Sequence, residues 1–100
     1  MHSEEPRARY EIIWSRRAQA RLSEIRTFIE RDKPDAAERL AIRIVSVVEA
    51  LKDFPHLGRA GNEPPMRELV IGGTPYIVIY RVKGHQIRIS TIWHGAQRRR

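Results

Sequence analysis

Apolar positions recur along this chain with two different periods, and the changes of period divide it into segments. Tyr10-Glu11-Ile12-Ile13-Trp14 is short, aromatic and β-branched, which predicts a strand. From Ala18 the spacing lengthens. Ala18, Leu22, Ile25 and Ile29 lie on one face of a helix, and Ser15 stands where its hydroxyl can cap the first turn. Lys33-Pro34 stops that helix, because a residue before proline disfavours helical dihedrals. A second helix is expected to open at Asp35, with Glu38 completing a capping box. Its stripe runs through Ala37, Leu40, Ala41, Ile44, Val47, Val48, Leu51 and Phe54 and ends at Pro55.

Residues 55–65 are rich in proline and glycine and read as a loop. Three strands follow: Met66 to Ile71, Tyr76 to Val82 and Gln86 to Trp93. The short turns Gly72–Pro75 and Lys83–His85 make them an antiparallel meander. The predicted fold is therefore α+β, in the order β-α-α-β-β-β. An antiparallel helical hairpin packs on a mainly antiparallel sheet of three to four strands. Residues 10–97 form one domain, with a flexible arm at 1–9 and a basic tail at 98–100.

Alternation assigns faces. Ile87, Ile89, Thr91 and Trp93 should meet the helices, leaving Arg88, Ser90, Ile92 and His94 on the uncovered face. Arg67, Leu69 and Ile71 share one face of their strand, and Ile77, Ile79 and Arg81 share one face of theirs. Which of these sets joins His94 is left open. Tyr76 and Tyr80 share a face and are expected in the core.

Charge sharpens the picture. The formal net charge is +7, and the 19 basic residues are all arginine except Lys33, Lys52 and Lys83. Arginine favours forked contacts to carboxylate and phosphate, so a polyanion or an acidic protein segment is the expected partner. The plainer alternative is a basic surface that serves only to keep the chain in solution. The absence of cysteine excludes a disulfide framework. No apolar run approaches the ~20 residues of a membrane span, and Met1–Pro6 does not read as a signal peptide, so a cytoplasmic location is expected. The histidines have no metal-ligand spacing, and no cofactor is implied.

Candidate chemistry centres on a few residues. His94, beside Gly95 at a strand end, can serve as a general acid–base near an arginine. It can equally be structural, hydrogen-bonding a carbonyl, and that is the preferred reading. Arg59, between Gly58 and Gly61, either binds carbonyls at the end of the second helix or faces a partner. Arg67 can be an edge-strand charge that discourages aggregation.

Four segments occur together, in order and at plausible spacing: Pro55-x-Leu57-Gly58-Arg59, Arg67-Glu68-Leu69, Pro75-Tyr76-x-x-x-Tyr80-Arg81-Val82 and His94-Gly95-Ala96-Gln97. Together they resemble the RelE/ParE toxin superfamily over roughly residues 10–97. The resemblance implies a toxin of a type II toxin–antitoxin system. One branch cuts messenger RNA in the ribosome, and the ParE branch poisons DNA gyrase. The cutting branch typically has an arginine after the tyrosine of the central strand, and here that position is Ile77. It typically carries further basic residues on the preceding strand, where this chain has the single pair Arg67-Glu68, and many relatives end the last motif in arginine where Gln97 stands. The ParE branch is therefore preferred, with ribosome-dependent endonuclease as the alternative and a nucleic-acid-binding module as a third reading. Under the endonuclease reading His94, Arg67, Arg81 and Arg88 are the candidate catalytic groups. Under the ParE reading Arg59, Arg67, Arg81, Arg88, His94 and Gln97 are candidates for binding target or antitoxin. The implied partner is a cognate antitoxin with an acidic, amphipathic C-terminal segment that folds on the toxin.

Overall fold

A computed structural model of the chain describes residues 9–98, with side chains as far as Ala96. The expected arm lies outside the described residues apart from Arg9, which pairs with Asp53 at 3.3 Å. The elements are β1 (Glu11–Trp14), α1 (Arg16–Glu30), α2 (Pro34–Glu49), a 3-10 turn (Ala50–Lys52), β2 (Arg59–Ala60), β3 (Arg67–Val70), β4 (Tyr76–Lys83), β5 (Gln86–His94) and α3 (Gly95–Arg98). The sheet has five strands in the order β1-β5-β4-β3-β2, one more than the upper expectation. The extra strand is β2, two residues of the presumed loop that pair antiparallel with Arg67 and Glu68. Strand β1 lies at the other edge and runs parallel to β5.

The Ser15 hydroxyl caps α1, accepting the Ala18 N–H at 2.9 Å and donating to the Ser90 carbonyl at 2.8 Å. Arg21 Nε donates to the Ile92 carbonyl at 3.1 Å. Beyond Ile89 strand β5 has outrun β1, so side chains from α1 and its N-cap satisfy carbonyls that a strand would otherwise take. Helix α2 begins at Pro34, one residue earlier than expected, and its N-cap Lys33 makes no side-chain bond. The Asp35–Glu38 capping box is thus not formed. Proline at the first helical position has its φ already set and has no N–H to orphan. At the other end α2 tightens at Ala50, which rotates Phe54 off the stripe. Leu51 is fully buried, whereas Phe54 is 64 % exposed.

The core lies between the helical hairpin and one face of the sheet. Ala18, Ile25, Ile44, Val48 and Leu51 meet Leu69, Ile71, Tyr76, Val78, Tyr80, Ile87, Ile89 and Ile92. The faces expected for β5 hold only for its first half. Tyr80 pairs with Ile89, but Ile79 pairs with Thr91, so Ser90 is an extra residue in β5. This bulge inverts the later alternation. Ile92 takes the core position and His94, expected on the uncovered face, follows it to the helix side beside Tyr76, while Thr91 and Trp93 turn to the face away from the helices.

Candidate functional site

The signature residues gather into two clusters, each tied together by hydrogen bonds or ring contacts within the fold. In the first, the Tyr80 hydroxyl donates to the Pro55 carbonyl and accepts the Gly58 N–H, each at 2.8 Å. Arg67 Nη1 donates to the Gly58 carbonyl at 2.7 Å. Arg59 forks onto one Glu68 oxygen, with Nε at 3.2 Å and Nη2 at 3.0 Å. A Cβ on Gly58 would stand 2.7 Å from the Tyr80 ring and 2.9 Å from the Glu68 carbonyl oxygen, so glycine is required there by close approach. Burial pushes the Tyr80 hydroxyl above its ordinary pKa, against the lowering effect of the Gly58 N–H and the Arg67 charge. The cluster therefore holds a neutral phenol and pins the 55–59 segment to the sheet. Tyr80→Phe should cost about 1–3 kcal/mol in urea unfolding, because it strands the buried Gly58 N–H. A cost near zero would mean that the loop has another anchor.

These contacts correct two expectations. Arg59 does not reach the end of the second helix, because pairing in β2 carries it to Glu68. Arg67 is not an edge-strand charge, because β2 covers that edge of β3.

The second cluster closes the far end of the sheet. Gly95 donates to the Pro75 carbonyl at 2.6 Å. Tyr76 and His94, opposed in register, meet edge to face at 5.4 Å between ring centroids. His94 Nδ1 accepts the Ala96 N–H at 3.2 Å, so this histidine caps a backbone amide where a carbonyl bond was expected. The Gln97 side chain lies outside the described residues.

Register ranks the remaining groups on the open face. Arg81 opposes Arg88, and Ile13 of β1 continues that row. The next row is Arg59, Glu68, Ile79 and Thr91, and the third is Val70, Ile77 and Trp93. Arg81 and Arg88 therefore come together, but Arg88 and His94 stand six positions apart along β5, about 15–20 Å. Arg67 is committed to Gly58. The four groups proposed for RNA cleavage do not converge on one point.

A groove of about 720 Å³ crosses the open face beside the Gly61–Met66 segment. Its charged lining is Arg17, Glu63 and Glu68, with His94 at one end and Trp93 along the wall. Glu68 is 5 % exposed, and Ile77 is 9 % exposed beside Gly95. Sequence reasoning put Trp93 on the helix-facing side and did not single out Val70, which are 38 % and 50 % exposed, because it did not foresee the bulge and left open which strand faces go together.

The helical side offers a different surface. Ile42 and Val45 are exposed on α2, and Phe28 on α1. Leu40, Ile42 and Val47 floor a shallow hollow of about 660 Å³ between α2 and Thr74, with Arg39 and Arg43 at its rim. Among the described residues no helix is long and apolar enough to cross a membrane.

This fold, a helical hairpin on one face of a five-stranded mixed sheet, is the fold of ParDE toxins. The family model for the ParE toxin of the type II toxin–antitoxin system parDE matches residues 12–99, and the chain belongs to that family. It is 43 % identical over 90 residues to Y4kP of Sinorhizobium fredii, whose name marks it as a candidate toxin, covering 90 % of this chain and 93 % of that one. It is 34 % identical over 87 residues to toxin RelE2 of Caulobacter vibrioides, covering 87 % and 97 %. A solved structure of the chromosomal ParDE system from P. aeruginosa superposes with a TM-score of 0.79 at 28 % identity, covering 85 % of this chain and 95 % of that one. Membership of a toxin–antitoxin family implies an antitoxin partner.

Proposed function

We propose that this toxin is a ParE-type poison of DNA gyrase, acting by binding and not by cutting RNA. The observation that carries the reading is the floor of the open face. Where an RNA cutter needs cations around the scissile phosphate, this chain has buried Ile77 and Ile79, and the groove beside them is lined by a single arginine, Arg17. A hydrocarbon floor cannot donate to phosphate, and Arg59, the cation of that row, is already taken by Glu68. The solved ParDE neighbour supports the same reading.

The antitoxin partner fits the helical side. An acidic, amphipathic segment that orders on binding needs apolar contact to offset its entropy and opposite charge to align it. The hollow between Arg39 and Arg43, floored by Leu40, Ile42 and Val47, provides both.

Purified toxin, freed from its antitoxin, should inhibit supercoiling by purified gyrase and leave ribosome-bound messenger RNA intact. Transcripts severed on ribosomes would reverse the assignment. That second reading has one observation in its favour, since His94 and Arg17 line the same groove. His94→Ala separates the two. A lost acid–base group costs about 100-fold or more in rate, whereas the gyrase reading expects toxicity and inhibition to be retained.

A further inference from the structure

We propose that the β4–β5 hairpin end of the open sheet face, centred on the cross-strand pair Arg81 and Arg88, grips a backbone phosphate of duplex DNA. The proposal deepens the gyrase reading and rests on it for its biological setting, since a gyrase poison meets an enzyme that holds DNA.

The pair is anomalous on stability grounds. Arg81 and Arg88 are directly opposed in register. Opposed residues of an antiparallel pair have Cα atoms about 4.5–5.5 Å apart, and like charges so placed destabilise a sheet. Neither makes an ion pair among the described residues, which leaves the opposition in register uncompensated by a carboxylate. Lys83 adds a third cation two residues beyond Arg81, and Glu11, opposite Gln86, is the one acid in these two rows. Arg88 is also pre-aimed. Its Nε donates to Gln86 Oε1 at 2.9 Å, which fixes the guanidinium and leaves its two terminal amino groups for a ligand. An anion between the two forks turns their repulsion into a shared contact.

Chemistry selects phosphate over an acidic peptide. A folding peptide needs apolar anchors beside its charges, and the apolar neighbour in this row is Ile13, itself partly buried. The basic hollow on α2 has such anchors, and this patch does not. A phosphate backbone asks only for paired cations on an open surface, and the sheet presents Arg88 exposed and Arg81 half-buried there.

The test is anisotropy of a labelled duplex DNA of about two helical turns, titrated with the full-length toxin across a salt series, without gyrase. Wild type should bind with an affinity that falls as salt rises. R81Q/R88Q should weaken binding about tenfold or more at low salt and flatten the log–log slope by roughly 1, since each phosphate contact contributes about 0.9. R39Q/R43Q, which removes the same charge from the helical side, should change DNA binding far less. The urea midpoint of R88Q should stay level or rise, since a like-charge neighbour is gone. Wild type that does not bind DNA, or equal losses in the two double variants, would overturn the proposal. So would a fall in the R88Q midpoint, which would make the pair structural. Loss of antitoxin affinity in R81Q/R88Q with DNA binding unchanged would assign the patch to an acidic peptide. If DNA binding behaves as expected but wild type fails to inhibit supercoiling, the phosphate site stands and the gyrase assignment falls.

Discussion

Ile92→Asp should leave no cooperative unfolding transition, while Trp93→Asp, one residue on, should still give a folded protein. Ile92 is fully buried among Ile25, Ile44 and the other core residues, and a carboxylate there has no partner. Burying an unpaired charge costs several kcal/mol or more, comparable to the whole stability of about 5–10 kcal/mol of such a domain. Trp93 is 38 % exposed at the wall of the open groove, so a carboxylate there stays hydrated. The neutral pair ranks the same way. Ile92→Ala should cost about 2–5 kcal/mol, and Trp93→Ala should fall short of the ~3–5 kcal/mol of a fully buried tryptophan. Urea midpoints and near-ultraviolet circular dichroism read both comparisons. Strict alternation through β5 predicts the reverse order, so a folded Ile92→Asp protein would remove the bulge at Ser90 from the description.

The second large contrast lies at the end of the helical hairpin. Leu51→Asp should unfold the protein, and Phe54→Asp should change its urea midpoint little. Leu51 is sealed in the core, whereas Phe54 is 64 % exposed. Both sit on one stripe if α2 is extended as an ideal helix. The 3-10 turn at Ala50–Lys52 advances more per residue and takes Phe54 out of line. Leu51→Asp is also a control for the functional assays, because toxicity should vanish with the fold. If Phe54→Asp abolishes toxicity while the urea midpoint holds, this exposed ring is a contact with target.

These two places mark the limit of what the amino-acid pattern discloses. Element order, the helical hairpin, the Ser15 cap and the burial of Tyr76 and Tyr80 follow from periodicity and local chemistry, and all are present. The bulge is one residue in Ser90-Thr91-Ile92, where every residue type suits a strand, so nothing local reports the change of phase. Strand β2 is equally silent, being two residues made strand-like only by Arg67 and Glu68 opposite them. The candidate site was legible as residue identities and not as roles. Gly58 is needed because of a tyrosine 22 positions away, and Arg59 because of a glutamate nine positions away. Such reasons appear only once β2, β3 and β4 lie side by side. The pairing of Arg81 with Arg88 likewise depends on register across the Lys83–Gln86 turn.

The parallel pairing of β1 with β5 has a consequence for when this molecule comes into being. Glu11 to Trp14 find their partners at Gln86 to Ile89, and Ser15 reaches across 75 positions to Ser90. Closing so long a loop is entropically unfavourable and slow, and it has to wait until the distal partner exists. During synthesis the hairpin of helices can form early, but the sheet edge stays unfinished until the last strand has been made. A prematurely terminated product lacking that strand would be inert, so the cell should meet a folded toxin only after translation has passed the β5 codons.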